Sequence, residues 1–169
     1  MKLKALMITL VLLLPGCLDS EGEEIRFNGR NLEGSDVYMF TLEDSKGPLW
    51  NLTEQEGKVV VLAFIFTRCD NTCPVTSQNL KVVYESLTED ELAKVSFVSI
   101  TVDWRHDSPS ELNNWSDRMG YDWPHLTGAK QALDPVYENY GVFPVEQGDD
   151  SDEGYTVAHP SPTYICLLY

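Results

Sequence analysis

Two cysteines separated by three residues carry the clearest chemical signal in this sequence. Cys69 and Cys73 lie in the segment Thr67-Arg68-Cys69-Asp70-Asn71-Thr72-Cys73-Pro74. Two thiolates that converge on one point select a soft metal ion, Cu(I) above all, with Zn(II) as the usual competitor. The same spacing also suits a redox dithiol or a structural disulfide, and the cysteines alone leave all three interpretations open.

The cysteine segment stands between a predicted strand and a predicted helix. Lys58 to Phe66 is a continuous apolar run rich in β-branched residues, which is typical of a central strand buried on both faces. Pro74 suits the first position of the following helix, which makes Cys73 the expected cap residue. The helix dipole and the exposed N–H groups at that end favour a thiolate over a thiol. Open α/β sheets place their sites at this end of a strand.

Two thiolates leave a metal ion under-coordinated, and the sequence has three histidines that are candidates for a third ligand. His106 lies in a charged loop and is interpreted as a solvated surface residue, whereas His125, beside a short strand, is interpreted as structural. His159 precedes the last predicted strand, which can pair beside the central strand and bring His159 toward the cysteines. By residue type alone, a histidine of this kind is more often structural or exposed than a ligand.

Strand and helix patterns alternate along the chain, which predicts an α/β fold with a mostly parallel central sheet flanked by helices. Residues 148–154 form an acidic loop, and Cys166 is expected to be a small buried apolar residue. The predicted elements are an N-terminal β-hairpin (37–42 and 49–52), strands at 58–66, 95–102, 124–126 and 163–169, and helices at 74–87, 109–119 (with Ser108 as its cap) and 135–140.

Composition limits the classes of function. A chain of 169 residues has room for one ordinary domain, and its hydrophobic fraction of 43% is enough to build a core. The formal net charge of −15 argues against nucleic-acid binding, because phosphate contacts need clustered Lys and Arg.

The N-terminal residues have the pattern of a lipoprotein signal peptide, residues 1–16. Lys2 and Lys4 precede an apolar stretch too short to span a bilayer, and the stretch ends in Leu14-Pro15-Gly16-Cys17. Cys17 is then the lipid-attachment residue that holds the protein on the extracytoplasmic face of the cell membrane. An ordinary cleaved signal or an uncleaved anchor is the alternative. Residues 17–36 are expected to be a flexible tether, and residues 37–169 the folded domain.

Three spaced segments together resemble the Sco/SenC family of copper-binding cytochrome c oxidase assembly proteins. Residues 67–74 are similar to the family's C-x-x-x-C-P motif, and residues 99–109 to its strand ending in S-V-D-P-x-x-D-T-P. Residues 155–165 resemble its Y-x-V-D-H…Y-L segment. Three motifs in the family's order are far more specific than any one of them.

The resemblance implies a thioredoxin-like fold and a copper site for Cu(I) and Cu(II). The ligands it implies are Cys69, Cys73 and His159. Asp103 is a candidate for tuning or positioning the site, and its alternative role is that of a turn-capping carboxylate. The implied function is not enzymatic: a metallochaperone that delivers copper to the dinuclear copper site in subunit II of a haem-copper oxidase.

The sequence departs from the family pattern at Trp104, Ala158 and Pro160, which replace a Pro, an Asp and a small polar residue. The family pattern also continues further, so the resemblance implies either that the chain is truncated at Tyr169 or that one edge of the sheet is left uncovered. The rival function is a thiol–disulfide oxidoreductase that keeps partner cysteines reduced, since the same thiols can perform exchange. His159 favours copper, because dithiol exchange needs no imidazole ligand.

Overall fold

The structure is a computed structural model that describes residues 29–32, 36–69, 72–148 and 154–168. At Thr72 and Cys73 only the backbone is described. The predicted signal peptide, Cys17 and most of the predicted tether lie outside the described residues. Asp36–Tyr169 forms a compact unit.

Strands and helices alternate through this unit as the sequence predicts. The strands are β1 (Thr41–Asp44), β2 (Trp50–Asn51), β3 (Val59–Ile65), β4 (Val95–Thr101), β5 (His125–Thr127), β6 (Val145–Gln147), β7 (Thr156–Ala158) and β8 (Thr163–Leu167). The helices are α1 (Thr72–Ser86), α2 (Glu89–Leu92), α3 (Pro109–Met119) and α4 (Lys130–Asn139), with a short 3₁₀ helix at Leu52–Gln55.

The centre of the sheet consists of the parallel strands β3, β4 and β5. The β3–β4 register runs from Val59 opposite Val95 to Ile65 opposite Thr101. The last four residues of β3 are all buried, which confirms the central strand predicted from its apolar run. Because β3 and β4 are parallel and end together, the loops that follow them meet at the same edge of the sheet.

The outer strands run antiparallel to this centre. The strand order is β2-β1-β5-β4-β3-β8, with β1 antiparallel to both β2 and β5, and β8 antiparallel to β3. The predicted parallel arrangement therefore holds for the three central strands, and the predicted N-terminal hairpin forms the far edge. β6 and β7 pair only with each other within the described residues and make a separate two-stranded sheet.

Two helices begin earlier than predicted. α1 begins at Thr72 rather than Pro74, so Cys73 lies in the first turn and is not the cap. Pro74 is accepted there because N–H groups of the first turn have no intrahelical acceptor. α4 begins at Lys130 and contains Pro135, which the sequence analysis takes as the first residue. In contrast, α3 begins as predicted, with the Oγ of Ser108 accepting from the Glu111 N–H at 3.2 Å.

The side chains of β8 alternate between the core and the surface. Cys166 is 7% exposed, which confirms it as a buried small residue, and burial raises the pKa of its thiol. Ile165, its neighbour, is 68% exposed on the opposite face. None of the helices in the described ranges combines the length and apolar character that crossing a bilayer requires.

Candidate functional site

The cysteine loop leaves the sheet at the carboxyl end of β3. Phe66 follows the strand and is buried, and its carbonyl accepts a hydrogen bond from the Cys69 N–H at 3.3 Å. The Cys69 side chain is half-buried and packs against the hydrophobic core. Cys73 is the second residue of α1, and its side chain lies outside the described atoms. Cys69 therefore lies in the loop between β3 and α1, and Cys73 lies in the first turn of α1.

His159 lies beside the cysteine loop, although it is far from that loop along the sequence. It follows β7 directly, and its imidazole contacts the Phe66 ring edge-on, with ring centroids 5.9 Å apart. Cys69 and His159 are thus both in contact with Phe66, one through its backbone and the other through its ring. Among the described side chains no three of the His, Cys, Asp and Glu type lie within reach of one metal ion, and Cys73 is not in that set.

The imidazole of His159 is held in a form that suits a ligand. Its Nδ1 lies 2.7 Å from the carbonyl oxygen of Pro160, which can only accept, so Nδ1 carries the proton. The lone pair is then on Nε2. Burial lowers the pKa of His159, which favours the neutral ring. A neutral imidazole with one nitrogen bonded to a carbonyl and the other carrying a lone pair is the form that metals bind.

Asp103, directly beyond β4, links three segments of the site. Its side chain is 1% exposed. Both carboxylate oxygens lie close to Nδ1 of His106, at 2.8 and 3.0 Å, and Oδ1 accepts from the Tyr155 hydroxyl at 3.0 Å. The guanidinium of Arg68, beside Cys69, lies 3.9 Å from the other oxygen. The carboxylate therefore contacts both the cysteine loop and the segment that carries His159.

His106 is not the solvated surface residue that the sequence analysis predicts. Its ring contacts both Asp103 and Tyr155, and the ring centroids of His106 and Tyr155 are 4.7 Å apart. The reason is the tight turn after β4, in which the N–H of His106 donates to the Asp103 carbonyl at 3.2 Å. That turn directs the imidazole back onto the carboxylate.

Tyr155 is a site residue that the sequence analysis does not single out. The guanidinium carbon of Arg68 lies 4.6 Å from the centre of its ring, on one of its faces. Burial, and next the hydrogen bond to Asp103, raise the pKa of Tyr155 well above its ordinary value, so the hydroxyl stays a donor. In the sequence, Tyr155 could have been identified as a site residue because it begins the segment 155–159.

Asp107 is a second buried carboxylate under the cysteine loop. It is fully buried and accepts hydrogen bonds from the Thr67 N–H at 3.1 Å, the Thr67 hydroxyl at 2.5 Å and the Thr101 hydroxyl at 2.5 Å. Burial raises its pKa to about 6, although the bonds from both threonines oppose the shift. Asp107 thereby fastens the first residue of the cysteine segment to the end of β4. In the sequence, Asp107 could have been identified because it is the second Asp of the segment 99–109.

His125 is remote from this network and structural, as predicted. It is fully buried in β5, and its ring is surrounded by Trp115, Trp123 and Tyr121 at centroid distances of 5.3, 5.6 and 6.4 Å. Burial lowers the pKa of His125 to about 4. The imidazole is therefore neutral at physiological pH. It is not part of the loop edge, which consists of the loops that follow β3 and β4 at the carboxyl ends of these strands.

Comparison with known proteins gives a consistent relationship. Residues 31–167 match the family described as SCO1/SenC. A SCO2-like protein of Rickettsia felis is 30% identical over 127 residues, which cover 75% of this chain and 62% of the relative. The chain therefore spans less than two thirds of the length of that relative.

Solved structures show the same fold. The solution structure of apo Sco1 from Thermus thermophilus has a TM-score of 0.75 and 27% identity, covering 87% of this chain and 85% of that one. Arabidopsis thaliana ScoI with copper bound has a TM-score of 0.67 and 25% identity, covering 78% and 81%. A SCO1/SenC family lipoprotein from Bacillus anthracis has a TM-score of 0.65 and 25% identity, covering 77% of each chain. The thioredoxin-like fold expected from the sequence is confirmed.

Proposed function

Because this chain belongs to the SCO1/SenC family, we propose that it binds one copper ion through Cys69, Cys73 and His159. Two thiolates supply the soft donors that Cu(I) prefers, and adding an imidazole gives the mixed donor set that suits Cu(II). The relative from Arabidopsis thaliana, similar over most of this chain, has been solved with copper bound.

The observation that carries this proposal is the contact between His159 and Phe66. The two rings are 5.9 Å apart, and Phe66 precedes Cys69 by three residues, so the imidazole lies against the start of the cysteine loop. The carbonyl of Pro160 orients that imidazole with Nε2 available. His106 bonds to Asp103 and His125 is enclosed by aromatic rings, which leaves His159 as the candidate nitrogen ligand.

Copper in this proposal is cargo. The protein is an extracytoplasmic metallochaperone that passes copper to the dinuclear site in subunit II of cytochrome c oxidase, and residues 37–169 are the domain that performs the transfer. Asp103 positions the three segments around the copper. Cys17, once lipidated, holds the protein on the outer face of the membrane, in keeping with the lipoprotein relative from Bacillus anthracis.

Copper stoichiometry tests the ligand set. The full chain carrying Cys17→Ser, purified reduced, is expected to bind one copper, and further substitution of Cys69→Ser or Cys73→Ser should abolish binding, because one thiolate and one imidazole make a poor Cu(I) site. Cys166→Ala is the matched control: it removes a thiol elsewhere and should leave one copper bound. Full copper binding by either of the two serine variants contradicts the proposal.

His159→Ala separates a copper chaperone from a thiol–disulfide oxidoreductase. If copper is the cargo, this variant keeps Cu(I) on two thiolates but binds Cu(II) much more weakly, seen as loss of the sulfur-to-copper charge-transfer absorption. Reduction of a model disulfide should barely change, since its rate depends on thiolate fraction and access. An intact Cu(II) spectrum with slowed disulfide reduction favours the oxidoreductase.

Transfer is measured directly by mixing two equivalents of the copper-loaded chain, one carrying Cu(I) and one carrying Cu(II), with one equivalent of the copper-free soluble domain of subunit II. Appearance of the dinuclear copper absorption supports delivery, and retention of copper by the chain contradicts it.

The anchor is tested by fractionation of cells: Cys17→Ser should leave the membrane fraction or remain unprocessed. A mature-sized Cys17→Ser protein in the membrane fraction contradicts lipid attachment.

A further inference from the structure

Tyr155 connects the segment that carries His159 to two other loops of the site. Its hydroxyl donates to Asp103 at 3.0 Å, in the loop after β4. One face of its ring lies against the guanidinium of Arg68, in the cysteine loop, at 4.6 Å, and His106 contacts it edge-on. A single side chain therefore joins all three loops at the carboxyl edge of the sheet.

The β6–β7 sheet needs such a connection. It has three residue pairs, from Val145 opposite Ala158 to Gln147 opposite Thr156, and pairs with no strand of the main sheet in the described part of the chain. A two-stranded sheet is marginally stable alone. Its position relative to the cysteine loop is therefore set by side-chain contacts rather than by the hydrogen-bond ladder of the main sheet.

Two of those contacts are sheltered from water: Val157 of β7 packs in the hydrophobic core, and the Tyr155 hydroxyl binds a buried carboxylate. Asp103 is 1% exposed, so its hydrogen bond with Tyr155 is partly removed from water and involves an ionisable acceptor. The ion pair between Arg105 and Glu146, which also joins the loop after β4 to β6, has side chains 46% and 36% exposed. Exposed pairs of that kind contribute little.

We propose that Tyr155 is a positioning residue for His159: its hydroxyl, bonded to Asp103, holds the β6–β7 sheet against the cysteine loop so that the imidazole meets the thiolates. This inference rests on the proposed copper site. Tyr155 does not touch the metal and acts through the backbone between residues 155 and 159.

The metal-free chain provides the first test. Tyr155→Phe keeps the aromatic ring and removes only the hydroxyl. Amide hydrogen exchange in β6 and β7 is expected to become about tenfold faster, which is the effect of losing one hydrogen bond to a charged group, while β3 and β4 exchange as before. The matched control is Tyr140→Phe, which removes a hydroxyl that donates to the Tyr38 carbonyl at 3.2 Å, and should leave β6 and β7 unchanged. Equal exchange of β6 and β7 in the Tyr155→Phe chain and the unsubstituted chain overturns the proposal.

Copper binding provides the second test. Tyr155→Phe should still bind one Cu(I), but its Cu(II) affinity should fall about 10- to 100-fold, as for loss of other groups that orient a metal ligand. Its Cu(II) charge-transfer spectrum should shift toward that of His159→Ala. Asp103→Ala removes the acceptor of the same bond, so its effect on Cu(II) affinity and that of Tyr155→Phe should be less than additive in the double variant.

The outcomes distinguish the two proposals. If the unsubstituted chain binds no copper, the proposed function fails, and the exchange experiment still decides whether Tyr155 holds the β6–β7 sheet. If the chain binds copper while Tyr155→Phe keeps the same Cu(II) affinity and spectrum, the positioning role of Tyr155 fails and the copper site stands.

Discussion

Asp107, in the loop after β4, and His125, in the neighbouring strand β5, are both fully buried, but their surroundings differ in kind. Asp107, at the loop edge, accepts three hydrogen bonds from two threonines. His125 is enclosed by the rings of two tryptophans and a tyrosine. The loop edge fixes its geometry through directed bonds, whereas the aromatic region is stabilised by packing.

The two regions respond to acid in opposite directions. Burial raises the pKa of Asp107 from 3.8 to about 6, so the folded state binds its proton more tightly and gains stability as the pH falls from 6 toward 4. Burial lowers the pKa of His125 from 6.5 to about 4, so the unfolded state binds its proton more tightly and stability is lost as the pH falls through that range. Each effect amounts to about 3 kcal/mol, and together they nearly cancel.

The two largest expected changes come from removing either of these groups, and the first of them is the histidine. His125→Leu fills a similar volume with an apolar side chain and eliminates the loss in acid, so the contribution of Asp107 is left uncompensated. The free energy of unfolding in urea should rise by about 3 kcal/mol between pH 6.5 and pH 4. A flat profile for this variant would show that Asp107 adds no stability in acid, whereas the same profile in the variant and the unsubstituted chain would show that His125 adds no pH dependence.

Asp107→Asn should produce the opposite slope with a similar size. The amide keeps an oxygen that accepts from the Thr67 N–H but cannot titrate, so only the effect of His125 remains. The free energy of unfolding should fall by about 3 kcal/mol from pH 6.5 to pH 4. The chain with both His125→Leu and Asp107→Asn is the control, because its profile should be level again. If the double variant keeps the slope, another group carries the pH dependence.

The smallest expected change lies at the exposed border of the loop edge. Arg105→Gln breaks the ion pair with Glu146 at 3.3 Å, whose side chains are well exposed. Solvent weakens such a pair, so the free energy of unfolding should change by less than about 0.5 kcal/mol. A loss above 1 kcal/mol would mean that surface charge, and not only buried hydrogen bonding, holds the loop edge together.

Sequence patterns predicted the aromatic and apolar regions better than the loop edge. The runs around β3 and β4 have a composition that only buried strands show, and the Ser108-Pro109 start of α3 is specific to helices. β6 escaped prediction because all three of its residues are exposed, so its sequence carries no alternation of apolar and polar residues. The first half of α4 was not predicted as helix, because proline more often begins a helix than interrupts one and the sequence pattern places the helix start at Pro135.

The candidate site was predictable as a set of residue types but not as a network. The cysteine spacing and the resemblance singled out Cys69, Cys73, His159 and Asp103. Side chains of the types found at Asp107, Arg68 and Tyr155 are common on protein surfaces. Their roles at the site arise from contacts between loops that lie far apart along the chain. The contact between Asp103 and Tyr155 joins residues 52 positions apart. No local pattern encodes such a pairing.

The two neighbours of β3 become available at very different times during synthesis. β4 pairs with β3 after a connection of about 30 residues, whereas β8 places Cys166 opposite Val60, about 100 residues further along the chain. At a translation rate of about 5–20 residues per second, roughly 5–20 seconds separate the emergence of β3 from that of β8. During that interval one edge of an apolar seven-residue strand has unpaired backbone groups. The nascent chain is therefore most exposed to aggregation in the stretch of synthesis before residues 163–167 leave the ribosome.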